Sequence, residues 1–110
     1  MKLPEHTIIA KEKLTGYLLE FKKRNDKSQW LAKAGYSREN WKILENDLRK
    51  QILSKEAVCL ETTEYGRLYE IKGIIIGPNG TTLLVRTIWM IETETDISKF
   101  ITMYPSEKEL

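Results

Sequence analysis

Arg86 stands in the middle of the apolar run from Thr82 to Ile91. A guanidinium placed there must reach solvent or meet a carboxylate, because an unpaired buried charge is strongly destabilising. Its planar five-donor fork suits a phosphate, so one role is an anion clamp; the other is an ion pair with a helix Glu or a place on an exposed sheet face. Thr102 and Tyr104 bring hydroxyls to a second β-rich stretch, and in an antiparallel pair they would join Arg86 in one cluster. For Thr102 alone, ordinary strand propensity is the better explanation. Lys22, Lys23, Arg24 and Lys27 form the densest basic cluster, able to attract phosphate or simply to present a solvated face, and the same two readings apply to Lys13. His6 is the only side chain whose intrinsic pKa lies near neutrality, which makes it the default proton carrier, although it sits close to the N-terminus.

Other chemistries are excluded by count. One Cys and one His supply neither an internal disulfide nor the about four ligands of a zinc site. The run Gly77-Pro78-Asn79-Gly80 matches neither nucleotide-binding glycine fingerprint, and no carboxylate cluster suggests a divalent-metal nuclease. No cofactor is therefore expected. A lone thiol fits a reducing cytoplasmic setting, with Cys59 and the three Trp expected in the core.

The elements that must position these groups follow from periodicity. Leu14, Tyr17, Leu18 and Phe21 recur at helical spacing and predict a first helix with one buried side. Asp26 and Gln29 resemble a capping box for a short second helix carrying Trp30, Leu31 and Ala34, ended by Gly35. Ser37 can cap a third helix with Trp41, Leu44, Leu48 and Ile52 on one face, running to about residue 54. Past residue 55 the pattern turns to two-residue alternation: strands around Val58 to Thr62 and Leu68 to Ile76, then Thr82 to Ile91 and Phe100 to Tyr104. Alternation puts Leu83, Val85, Thr87, Trp89 and Ile91 on one face of the third strand and Leu84, Arg86, Ile88 and Met90 on the other. It likewise predicts Phe100, Thr102 and Tyr104 together on the fourth. The expected fold is α+β, with two or three N-terminal helices on a four-stranded antiparallel meander. It forms one domain over residues 1–110, helical over 8–55 and sheet over 56–105.

The 110 residues are 41% hydrophobic and 31% charged, enough apolar surface for one ordinary core and too many charges for a membrane span. No signal peptide is read at the N-terminus, where Lys11, Glu12 and Lys13 interrupt any apolar stretch. The formal net charge of +2 conceals an asymmetry: residues 1–55 carry 13 Lys and Arg against 7 Asp and Glu, and residues 56–110 carry 5 against 9. Contact with a polyanion is thus expected from the helical half, with Arg86 the main basic exception on the sheet.

The stretches Glu12-Lys13-Leu14-Thr15-Gly16-Tyr17-Leu18-Leu19, Asn40-Trp41, Ile76-Gly77-Pro78-Asn79-Gly80, Val85-Arg86-Thr87-Ile88-Trp89 and Thr102-Met103-Tyr104-Pro105 resemble, in this order, a bacterial domain family of unknown function. Its members occur free-standing and at the C-terminus of polymorphic toxins. The layout is also distantly similar to the barnase, EndoU, colicin and RelE superfamily of metal-independent ribonucleases. That resemblance implies RNA as partner and cleavage by 2′-hydroxyl attack, with Arg86 on the phosphate, Lys13 or Lys27 adding charge, and Thr102 and Tyr104 orienting substrate. The His-Pro pair that family members carry after the first helix is Lys22-Lys23-Arg24-Asn25 here. A lysine or His6 would have to carry the proton, or the domain binds RNA without cutting it. The alternative is a non-catalytic module with a cognate protein partner, regulatory or immunity-like.

Overall fold

The computed structural model describes residues 1–20 and 27–106. The predicted basic residues Lys22, Lys23 and Arg24, and Asp26 of the expected capping box, lie outside the described residues. Helix α1, Lys11–Lys13, passes without a break into π geometry over Leu14–Leu18, and the Leu19 N–H donates to the Leu14 carbonyl at 2.8 Å. With i to i+5 bonding, residues four and five apart align. Leu14, Leu18 and Leu19 are accordingly buried, while Tyr17, expected on the same side, turns outward and is exposed.

Helix α2, Lys27–Ala32, ends as predicted at Gly35, whose φ of +95° favours a residue without Cβ. Helix α3 is Trp41–Asp47, continued in π geometry over Leu48–Leu53. It starts three residues later than a Ser37 cap would place it. Asn40 folds back instead: its Oδ1 accepts from the Ser37 N–H at 2.7 Å and its Nδ2 donates to the Gly35 carbonyl at 2.9 Å.

Strands β1 (Val58–Thr62), β2 (Gly66–Ile76), β3 (Thr82–Glu92) and β4 (Ser98–Pro105) form one antiparallel sheet in the order β1-β2-β3-β4. The fold is α+β, helices on a meander, as the sequence pattern indicates. Ile71, Ile75, Val85, Trp89, Phe100 and Met103 on the inner face join Leu14, Leu18, Leu31, Leu44, Leu48 and Ile52 in one apolar core. Trp30 and Trp41 only pack against that core half-buried, and Cys59 is exposed on edge strand β1; for these three the expected full burial is corrected. Cys59 fails because β1 is an edge strand and every residue of it is exposed.

The turn between β2 and β3 anchors α2. A Cβ at Gly77 would lie 2.1 Å from the Ala34 carbonyl oxygen, so only glycine permits this approach. Asn79 secures it, donating from Nδ2 to the Lys33 carbonyl at 2.9 Å. No helix of the described residues is long and apolar enough to cross a membrane.

Candidate functional site

The site rests on an irregularity in β4. Trp89 pairs with Phe100 and Ile88 with Thr102, so Ile101 is an extra residue, a β-bulge. Inner-face packing accounts for it. Phe100 packs edge-on to Trp89, ring centroids 5.1 Å apart, and Met103 is fully buried opposite Thr87. Two core residues three apart cannot both face inward in a regular strand, where side chains alternate. The bulge absorbs the mismatch and turns Thr102 and Tyr104 to the outer face. The expectation that Phe100 shares their face is therefore corrected, while the expected pairing of Thr102 and Tyr104 with the Arg86 face of β3 is what the register gives.

Trp89 is itself held from β2. Its indole N–H donates to the Thr87 hydroxyl at 2.7 Å, and that hydroxyl donates to the Ile71 carbonyl at 2.8 Å. Thr87 is thus a satisfied buried polar residue that steadies the strand carrying Arg86.

On the outer face Tyr104 lies opposite Arg86. The Arg86 guanidinium carbon is 5.6 Å from the Tyr104 ring centroid, and Lys27 Nζ, from the first residue of α2, is 4.0 Å from it. Lys27 also donates to Thr102 Oγ1 at 3.1 Å and to the Tyr17 hydroxyl at 3.4 Å. Arg86 Nε donates to Glu70 Oε2 on β2, and Lys72 Nζ stands 3.8 Å from the other Glu70 oxygen. Glu70 is largely covered, its side chain 14% exposed against 43% for Arg86. Among the described residues the two Nη groups of Arg86 make no hydrogen bond.

Of the predicted site residues, Lys27, Arg86, Thr102 and Tyr104 come together. Lys13 is half-buried on α1 and, among the described residues, has no hydrogen bond or ion pair to this group; His6 is exposed in the N-terminal turn. Arg86 takes a strand carboxylate, not a helix one, as partner. Glu70, Lys72 and Tyr17 are the members that sequence reasoning did not single out. The signal for Glu70 was present: it alternates with Leu68 and Lys72 in β2 and so must share their face.

Electrostatically Lys72 and Arg86 flank the Glu70 carboxylate while Lys27 and Arg86 share the Tyr104 ring, a surplus of positive charge. A cation over an exposed ring contributes only about 0.5–1 kcal/mol, and the Arg86–Glu70 pair leaves the guanidinium partly exposed. These contacts orient the cations without saturating them, so an incoming phosphate can compete for the free guanidinium edge. Among the described residues no group of three or more His, Cys, Asp or Glu converges as a metal-ligand set.

No curated protein and no solved structure matches the chain. A family model does: the one described as Domain of unknown function (DUF6883) matches residues 2–107, nearly the full length, and the chain belongs to that family.

Proposed function

We propose that this domain acts on single-stranded RNA at the outer face of its sheet, as a metal-independent ribonuclease of the kind found in bacterial toxins. The observation that carries the reading is the convergence of Lys27 and Arg86 on one tyrosine ring beside a largely covered carboxylate. In the reaction the ribose 2′-hydroxyl attacks the adjacent phosphorus and the bond from phosphorus to the 5′ oxygen breaks. A 2′,3′-cyclic phosphate and a free 5′-hydroxyl result. Glu70 receives the proton of the 2′-hydroxyl, and the Lys27 ammonium delivers one to the departing oxygen. The Nη groups of Arg86 hold the non-bridging oxygens as charge builds on them. Thr102 fixes Lys27 through its hydroxyl, and Tyr104 offers a face for a base. Glu70 and Lys27 fill the proton-carrying roles that the absent His-Pro pair leaves open.

The test is cleavage of a single-stranded RNA by the purified chain in EDTA, with product ends identified. Cyclic phosphate ends are expected, and Arg86→Ala should lower the rate by about a hundredfold or more, the usual cost of one charge-stabilising donor. Cleavage untouched by Arg86→Ala removes Arg86 from the mechanism, and no cleavage by the native chain ends the nuclease reading. Growth arrest on expression in bacteria, relieved by the same substitution, would support the toxin character.

A second reading is a protein-interaction module, favoured by β1. It is an edge strand exposed throughout, with Val58 62% and Leu60 47% exposed, and such an edge offers backbone groups to a partner strand. Binding that maps to β1 and leaves the outer face unperturbed would favour it.

A further inference from the structure

Trp41, at the start of α3, packs against the core half-buried and shows the rest of its indole to solvent. Lys11 Nζ lies 5.2 Å and Lys42 Nζ 5.7 Å from its ring centroid. With Thr15, Arg38 and Glu39 it lines an open groove of about 470 Å3, within the range of small-ligand clefts of roughly 300–1,000 Å3. Lys11, Arg38 and Lys42 are all exposed, and among the described residues none has a carboxylate within ion-pair distance. Glu39 is the single acidic side chain in the lining.

We infer that this groove is a second nucleotide subsite for single-stranded RNA, one base stacking on Trp41 and its flanking phosphates meeting Lys11, Arg38 and Lys42. The inference rests on the RNA reading above and extends its footprint. The helical run of α1 and the π segment after it joins the two places: Lys11 and Thr15 line the groove, while Tyr17 contacts Lys27 of the outer-face group. Lys11 and Tyr17 are six residues apart on one continuous helical run, so the groove and the outer-face group belong to the same element. An acidic peptide would also meet the cations. RNA is the better match because the positive charges flank an aromatic face, which pairs stacking with phosphate contacts as single-strand binders do.

The experiment is equilibrium binding, in EDTA, of a labelled oligouridylate of roughly 12 nucleotides and of a dinucleotide, both 2′-O-methylated so that neither can be cut, to the full chain. Trp41→Ala, and separately the paired charge reversal Lys11→Glu with Arg38→Glu, should weaken the longer strand about tenfold and flatten its salt dependence, leaving the dinucleotide unchanged. Arg86→Ala should weaken both. Because Trp41 packs on the core, the charge-reversed variant at two exposed positions decides the matter if Trp41→Ala fails to fold. Native affinity for the longer strand in the charge-reversed variant, with Arg86→Ala still defective, overturns the subsite and leaves the RNA reading standing. Absence of binding by the native chain to either RNA overturns both. A labelled acidic peptide that binds the native chain more tightly than RNA, and is lost on charge reversal, reassigns the groove and overturns the inference.

Discussion

Tyr104 stands directly across the β3–β4 ladder from Arg86, on the sheet face opposite Trp89 and Met103, with Lys27 Nζ 4.0 Å from its ring centroid. The one-residue bulge at Ile101, which lets Phe100 and Met103 both reach the core, is what places it there. The relationship links inner-face packing to outer-face chemistry and makes the fold itself a target for testing.

Deleting Ile101 should be tolerated, because it removes the extra residue and leaves Phe100 and Met103 two apart, both facing the core under regular alternation in the pairing they already have. Ile101→Ala keeps the backbone count and should cost about 1 kcal/mol, since the residue is half-buried. Urea unfolding of the two variants separates backbone register from side-chain burial.

Gly77→Ala should destabilise by about 1–3 kcal/mol, because the added carbon meets the Ala34 carbonyl and the turn must withdraw from the end of α2. A lowered denaturation midpoint with unchanged slope is the expected readout. If α2 shifts, Lys27 moves with it, so RNA affinity should fall as well.

The alkaline limb of stability should report Tyr36. Its buried hydroxyl donates to Asp47 Oδ2 at 2.6 Å, and burial, then that hydrogen bond and the Asp47 charge, push its pKa well above the usual tyrosine range. A raised folded-state value means the stabilisation is complete below the unfolded value near about 10 and is lost as pH climbs from there. Tyr36→Phe should flatten stability measured above about pH 10.

On the acid side, Glu92 is held below the ordinary carboxylate range by hydrogen bonds from Lys99 and Thr95 across the β3–β4 hairpin. The sign is opposite to that of Tyr36. Its contribution is present above the unfolded carboxylate value and disappears as pH falls through the folded one. Lys99→Met should move the Glu92 titration, followed by side-chain NMR, back up toward its ordinary position.

Much of the fold was legible in the chain: the strands, their alternation on β3, the left-handed Gly35 and the sharp Gly77 to Gly80 turn all follow from local chemistry. What escaped was whatever depended on a departure from regular geometry. The π segment after Lys13 turns Tyr17 out of the core, which a 3.6-residue period cannot foresee. The bulge at Ile101 was encoded in the three-residue spacing of Phe100 and Met103, a helical interval inside a strand, and reading it would have put Phe100 on the correct face. Glu70 becomes a partner of Arg86 only once the register of β2 on β3 is known, since the two are far apart in the chain. Exposure of Cys59 likewise depends on β1 being an edge strand, which composition cannot tell.

The most direct measurement is NMR titration of the full chain with a short, 2′-O-methylated single-stranded RNA, following backbone amides. Shifts should concentrate at Lys27, Glu70, Arg86, Thr102 and Tyr104 and be lost in Arg86→Ala. Shifts confined to Val58–Thr62, or a spectrum that RNA leaves unchanged, would contradict RNA binding at the outer face.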